Sequence, residues 1–456
     1  MDEERVELSR REFLMSAAAA ALAVPAVASS RVSYPKERLR HAAIGVGGMG
    51  GGDLKSFVSH GKVDIVALCD VDENNLKKAA ALYPDARLYA DWRELLKQEV
   101  DNIDSVNVSV PDHNHFAISY SAIKAGKHVY CQKPMCHDVA EVRLLTEAAV
   151  KAGVVTQLGT QHAGSSGDRT GVQWIKEGKI GKVKHVYLCS NRPGAIDTYR
   201  LVGPRPAKGK SPPPSLNWDL WVGTAPMREY APEIYHPVKW RAWQDFGTGW
   251  SGDIGCHIFD AVWKGLGLKA PKSVVAEVQS SWQNSPERRG DTWPQGDHIS
   301  WVFPGNKMVA GKELVVEWFD GVMYPPEEIR ALYSVENYPA ESAMLIGTKG
   351  ALLIPHGGTP VLLPEKDFPA AMLKHIEARN HYHHFVDACL GGERTESHFA
   401  VSGPMTEAIL LGTVAIRVPG EVLTWDAKNM RFPNHPDAER YLKRIYRKGW
   451  NIAGAF

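Results

Sequence analysis

The 456-residue chain has almost no net charge. Its 53 lysines and arginines stand against 52 aspartates and glutamates, leaving a formal +1. The basic excess that grips a phosphate backbone is missing, so a nucleic-acid partner is not expected. Cysteine is scarce. The six are Cys69, Cys131, Cys136, Cys189, Cys256 and Cys389, with no Cys-x-x-Cys pattern that would suggest zinc. Their irregular spacing, in a chain large enough to build its own core, argues against a disulfide framework. Cys69, Cys131 and Cys189 fall in apolar runs, where a thiol packs as a small hydrophobe. Internal repeats are lacking, and the only biased tracts are an alanine-rich N-terminal segment and a proline-rich loop from Pro204 to Pro214.

What is present fits a soluble protein of two to three domains. Hydrophobic residues make up 44% and charged residues 23%, enough for a large core and too apolar for disorder. Tryptophan is abundant, with 14 residues, several of them between Trp218 and Trp250. Such rings suit sugar faces and plain core packing equally well.

The N-terminus reads as a targeting segment. Ser9-Arg10-Arg11-Glu12-Phe13-Leu14 precedes an apolar run, Ala17 to Val27, which is shorter than the roughly 20 residues a membrane span needs. Ala26-Val27-Ala28 supplies a small-x-small cleavage site. The paired arginines resemble a bacterial twin-arginine signal, with Met15 where a lysine is frequent. Residues 1–28 are therefore expected to direct export through the twin-arginine machinery, placing a folded protein in the periplasm or otherwise outside the cytoplasm.

From Leu39 short apolar runs alternate with helical periodicity. Strands are expected at His41–Val46, Val63–Cys69, Ser105–Val110, His128–Cys131 and Val154–Leu158, separated by helices. That alternation predicts a parallel sheet covered on both faces. The first strand runs into Gly45-Val46-Gly47-Gly48-Met49-Gly50, a G-x-G-x-x-G between strand and helix. The first glycine permits the turn, the second admits the pyrophosphate, and the third lets helix and strand pack. Asp70 ends the second strand about 25 positions on, where an acid binds ribose hydroxyls. Its charge would repel a 2′-phosphate, and no arginine follows directly, so NAD is favoured over NADP.

Cys131-Gln132-Lys133-Pro134 follows the fourth strand, and Gly252-Asp253-Ile254-Gly255-Cys256-His257 comes later. With the glycine motif, Asn217–Gly223 and Leu410-Leu411-Gly412…Trp425-Asp426, these residues resemble the glucose-fructose oxidoreductase/inositol dehydrogenase (Gfo/Idh/MocA) family. The resemblance runs from about Leu39 to Asp426. It implies a Rossmann doubly wound domain (39–165) followed by a substrate-binding, catalytic α+β domain (166–456) with an open, mainly antiparallel sheet. It also implies a homo-oligomer. The sequence agrees with the second domain: after Gly167 the alternation is lost and strand-like runs recur between Lys182 and Ile354.

Oxidising a carbinol needs a hydride acceptor, a base for the hydroxyl proton and a neighbour for the developing oxyanion. Lys133 ends a strand at the carboxyl edge of the sheet, where open α/β sheets bind ligands, and Pro134 fixes its turn. The resemblance makes Lys133 the contact to the reacting hydroxyl, His257 the general acid/base and Asp253 a substrate ligand. Asp253 and His257 are four apart and share a helix face, a spacing that also suits a metal or a capping aspartate with a core histidine. No third metal ligand is evident. Gln132 departs from the family's usual Glu-Lys-Pro and cannot hold Lys133 charged as a glutamate would. Pro111 and His115 are expected near the cofactor with Gln132 and Lys133. Gln161 and His162 are expected to line the cleft, and Tyr199, His236, Trp240, Arg241 and Trp243 are candidates for a sugar platform or for core. The run Asn380-His381-Tyr382-His383-His384 is expected to start a helix, with one histidine toward the site.

The sequence thus predicts an exported, NAD-dependent oxidoreductase of a sugar, glycoside or polyol hydroxyl. Outside the cytoplasm its cofactor would have to stay tightly bound and be recycled in place. The alternatives are an NAD-dependent glycosidase working through transient C3 oxidation, and a non-enzymatic NAD- and sugar-binding protein.

Overall fold

The computed structural model describes residues 37–192, 206, 208–369, 373–452 and 454–455. The N-terminal residues 1–28, expected to direct export, and Tyr199 lie outside the described residues.

The first sheet has six parallel strands in the order β3-β2-β1-β4-β5-β6. They are β1 (Leu39–Ile44), β2 (Val63–Cys69), β3 (Arg87–Tyr89), β4 (Ser105–Val108), β5 (His128–Cys131) and β6 (Thr156–Leu158). The order reverses between β1 and β4, the crevice where doubly wound sheets bind ligands. The main helices between them are α1 (Gly48–Val58), α2 (Glu73–Ala80), α3 (Trp92–Glu99), α4 (His115–Lys124) and α5 (Val139–Ala152). Asp72 caps α2, Asp91 caps α3, and Asp138 with Glu141 forms a reciprocal capping box on α5. Each cap supplies a partner for backbone N–H groups that the helix itself leaves open, at about 1 kcal/mol apiece. Strand β3 was not among the expected strands. It is a three-residue edge with Arg87 and Leu88 exposed, so it has no apolar run to read.

The second sheet has eight strands: β7 (Val183–Ser190), β8 (Ser273–Val278), β9 (Asp297–Pro304), β10 (Glu313–Asp320), β11 (Glu341–Gly347), β12 (Ala351–Pro355), β13 (Val361–Leu363) and β14 (Leu423–Thr424). Their order is β13-β12-β11-β7-β10-β9-β8-β14. Only β7 and β10 pair in parallel, and every other pairing is antiparallel. Two further helices, α6 (Ser166–Lys176) and α7 (Gly249–Leu266), pack on each other.

Two late helices return to the first sheet. In α8 (His381–Cys389), Phe385, Val386 and Cys389 join Leu39, Phe57, Val63 and Tyr130 in one core cluster. In α9 (Phe399–Arg417) the apolar surface packs against both α5 and α7. Among the described residues α9 alone is long and apolar enough to cross a membrane, but 83% of that window is buried inside the protein. Its hydropathy is that of a core helix shared by both sheets. The Rossmann core is therefore completed by chain more than 200 residues downstream.

Candidate active site

The turn from β1 to α1, Gly45-Val46-Gly47, has Val46 as its one side chain, buried in the core beneath. Gly45 has φ +82°, and a Cβ there would lie 2.2 Å from the Ser109 carbonyl oxygen. A Cβ on Gly50 would lie 2.0 Å from the Gly45 oxygen, so the helix can approach the strand only as glycine. Gly47 caps α1 in an extended conformation without a side-chain hydrogen bond, and a Cβ on Gly48 would have nothing within 4 Å. Met49 forms an exposed outer lip. This is an uncovered N-terminus of an 11-residue helix, and the cradle fits a dinucleotide pyrophosphate.

Asp70 closes the loop from below. Its Oδ2 accepts from Val46 N at 2.9 Å and Gly47 N at 3.2 Å, and its Oδ1 from Asp72 N at 2.8 Å. Burial raises its pKa, and these backbone donors work against that rise. The carboxylate thus sits beside the glycine loop.

Beyond β4, Pro111 caps a short turn, Asp112–Asn114, that leads into α4. His115 is buried, with Nδ1 2.7 Å from the Pro134 carbonyl oxygen and Nε2 2.7 Å from that of Val110. Carbonyls only accept, so the ring satisfies both by donating from both nitrogens, as an imidazolium. Burial opposes that charge, but the Cys131 thiol and the two carbonyls prevail and raise its pKa. His115 therefore cross-braces the Pro111 loop to the Lys133-Pro134 turn, and its ring nitrogens are spent on protein.

The chemistry gathers around Asp253, one turn into α7. Lys133 Nζ bonds Asp253 Oδ1 and also reaches its carbonyl oxygen at 3.2 Å. Arg241 Nε lies 3.3 Å from Asp253 Oδ2, and its guanidinium stacks 4.3 Å over the Trp240 ring. Burial works against the Asp253 charge, but Lys133 and Arg241 hold its pKa below the usual carboxylate range. Asp112 is also buried, and its Oδ2 accepts from Thr248 Oγ1 at 3.0 Å at the start of α7. Burial, with the Asp253 charge adding to it, pushes Asp112 up to about 7. Of the two acids, Asp253 is the one held toward its charged form and Asp112 the one pushed toward its protonated form.

His257 follows one turn later on the same face of α7. Its Nδ1 is buried and has no hydrogen-bond partner. Burial drives its pKa well below the usual value, and the charges of Lys133, His356 and His162 act the same way. It is a neutral imidazole. The rings of His257, His356 and His162 form a cluster, with centroids 5.2 Å apart for His257–His356 and 4.3 Å for His162–His356. Among the described residues no group of three metal-ligating side chains converges as a metal site.

The other candidates separate. Gln161 Nε2 donates to Tyr130 OH at 3.3 Å, beside the cofactor side of the site. Gln132 turns away from Lys133 toward buried Asp53. Trp243 is core: it is 1% exposed, bonds the Ile234 carbonyl and packs on Tyr235. Trp240 is buried too and supports Arg241. His236 stands 3.9 Å from Asp72, near the cofactor loop. His381, His383 and His384 diverge to Leu158, Ser59 and Arg379. Asp260 pairs with Lys264. All six cysteines are buried and free. A cavity of about 840 Å³ lies farther along α7, lined by Arg169, Trp263, Lys264 and Pro404, and none of the candidate residues lines it.

Sequence reasoning missed Asp53, Tyr382 and His356, and gave Asp112 no role. His356 follows a strand of the second sheet with no motif around it. Asp53 had one signal, a polar residue on the inward face of α1 three positions after Gly50.

Two family models match successive parts of the chain. The oxidoreductase family's NAD-binding Rossmann fold matches residues 39–160, and its C-terminal alpha/beta domain matches residues 173–294. The myo-inositol 2-dehydrogenase of Thermotoga maritima is 27% identical over 168 residues, 36% of this chain and 49% of that protein. The chain thus spans about half the length of the curated relatives it matches, or less. The aldose-aldose oxidoreductase of Caulobacter crescentus superimposes with a TM-score of 0.57 at 18% identity, covering 85% of this chain and 100% of that one. An inositol dehydrogenase homolog of Azotobacter vinelandii, solved with NADH and myo-inositol, gives 0.57 at 18%, covering 85% and 98%. At these identities the structural likeness establishes the fold.

Proposed function

The chain belongs to the Gfo/Idh/MocA oxidoreductase family, whose first domain binds NAD(P), and on that premise we propose that it oxidises a hydroxyl of a sugar, glycoside or polyol with NAD. The observation that carries the reading is the convergence of Lys133, Asp253 and a neutral His257 at the carboxyl edge of the first sheet. The dinucleotide, when bound, supplies the hydride acceptor. The residues present fit it: the glycine cradle would take the pyrophosphate and Asp70 a ribose hydroxyl, which favours NAD over NADP.

The remaining work falls to side chains. His257 is a neutral imidazole near the Lys133 charge, so its ring can take the hydroxyl proton. The Lys133 ammonium steadies the oxygen as charge develops on it. Asp253 and Arg241 exchange their mutual contact for sugar hydroxyls. Removing His257 or Lys133 should cost about 10²–10⁴ in rate.

The N-terminal segment supports export, and a protein acting outside the cytoplasm needs its cofactor held and recycled. Turnover would then be ping-pong, one sugar oxidised and a second carbonyl compound reduced. Dialysed enzyme should stay active without added NAD, and strict dependence on added NAD would contradict tight binding. Replacing Arg10 and Arg11 by lysine should keep the protein in the cytoplasm.

One observation favours a second reading. Asp112 adds a second buried acid near Asp253, pushed up to about 7, more than a hydride transfer alone requires. Oxidation at C3 of a glycoside acidifies the neighbouring C–H, and a second acid would assist departure of the glycosidic oxygen. Release of free sugar from a chromogenic glycoside separates this glycosidase from a simple dehydrogenase.

A further inference from the structure

The turn after β5 sends two neighbouring side chains to opposite sides. Lys133 crosses to Asp253, while Gln132 turns under the glycine loop. Its Nε2 lies 3.0 Å from Asp53 Oδ1 and 2.8 Å from Oδ2. Its Oε1 accepts from Lys133 N at 3.3 Å, so the amide has one orientation only. Asp53 is 0% exposed, on the inward face of α1.

Two hydroxyls complete its surroundings. Ser109 Oγ donates to Asp53 Oδ2 at 2.7 Å, and Tyr382 OH, from α8, donates to Oδ1 at 2.7 Å. All these partners are neutral.

Ser109 is the last link of a directed chain. Its proton goes to Asp53, so it accepts from Asn107 Nδ2 at 2.8 Å. The Asn107 oxygen then faces His41 Nε2 at 3.0 Å and takes its proton. That leaves His41 Nδ1 to accept from Ser105 Oγ at 2.7 Å. Burial lowers His41 to about 4, which keeps it a single-proton tautomer as this order requires. Each donor points toward Asp53, and such chains polarise cumulatively. Burial raises the Asp53 pKa, and the hydrogen bonds from Tyr382, Gln132 and Ser109 work against that rise, the arrangement by which a buried carboxylate keeps its charge.

Gln132 also explains why one carboxylate is allowed here. A glutamate at 132 would place a second carboxylate about 3 Å from the first, and two such charges cannot both ionise when buried. We propose that Asp53 is a positioning residue of the cofactor edge: its buried charge orients the Gln132 amide and, through it, the Lys133 backbone. Asp53 and Gln132 form one unit carrying a single negative charge.

The inference rests on the NAD-binding reading, and a four-protein cycle tests it. The proteins are the wild type, Asp53→Asn, Gln132→Glu and the double variant, each stripped of nucleotide. NAD affinity is measured by calorimetry and Tm by scanning. Gln132→Glu should weaken NAD binding about 10-fold or more and lower Tm, through like-charge repulsion. Asp53→Asn should weaken binding by about 3- to 10-fold, because its own amide opposes that of Gln132. The double variant should return to within about 3-fold of wild type in affinity, with Tm recovering alongside, the mark of coupled sites. Additive losses in the double variant, or a harmless Gln132→Glu, would overturn the proposal. A wild type that binds no NAD would overturn the functional reading instead, and the Tm cycle would still decide whether the two residues share one charge.

Discussion

Asp53 and Asp253 are both buried carboxylates beside the same turn, and they are held in opposite ways. Asp53 is surrounded by Gln132, Ser109 and Tyr382, neutral donors fixed in the core. Asp253 is surrounded by Lys133 and Arg241, cations on long side chains. Dipoles locked in a core can stabilise a charge but cannot leave it. Cations at a cleft can be exchanged for substrate, and the desolvation of the pair is partly offset by their mutual attraction. The first arrangement suits support and the second suits chemistry.

That contrast can be broken by experiment. The largest effect should come from the chemical side: His257→Ala should reduce kcat by about 10²–10⁴ and leave NAD affinity within about 3-fold, by steady-state kinetics and calorimetry. If NAD affinity collapsed instead, His257 would belong to the supporting side. Next is Asp253→Asn, which strands Lys133 and Arg241 without their anion and should cost about 3 kcal/mol in denaturant unfolding. A cost near zero would mean that the pair is solvated and not buried.

Asp112 sharpens the comparison through pH. Its folded pKa, about 7, is above the ordinary 3.8, so the folded state binds its proton more tightly than the unfolded state does. Stability from that proton is fully present below the unfolded value and is lost as pH rises toward 7. Asp112→Asn should therefore be more stable than wild type at pH 8, by about 1–3 kcal/mol, and no more stable at pH 4. A constant difference across that range would remove Asp112 as the proton-holding acid. The smallest effect should be Arg241→Lys, which keeps charge but loses the stack on Trp240. It should raise KM about 3- to 10-fold with kcat little changed.

How far these two carboxylates were legible differs as well. The glycine motif, the strand–helix alternation and Asp70 are local signals, and strands Val63–Cys69 and His128–Cys131 match the sequence reading residue for residue. Gln132 was visible as a departure, but its partner Asp53 lies 79 positions away on a helix where a lone polar residue carries no pattern. Tyr382 is farther still, because α8 joins the Rossmann core only through the tertiary fold. On the catalytic side the i,i+4 spacing of Asp253 and His257 was legible. Their meeting with Lys133, 120 positions away, and with His356 required the second sheet to be in place. The tryptophans stayed open between sugar platform and core, since Trp243 in the core and Trp240 under Arg241 share the same sequence neighbourhood.

The central claim is that this chain holds NAD and uses it on a carbinol. The direct measurement is to purify the protein, denature a portion to release and quantify dinucleotide, and mix the rest with sugars, glycosides and polyols while recording absorbance at the NADH band. The account predicts near-stoichiometric NAD and, with at least one of these compounds, bound NADH that appears in the wild type and not in His257→Ala. A protein that carries no dinucleotide, takes up none when it is added, and gives no NADH with any of them would contradict it.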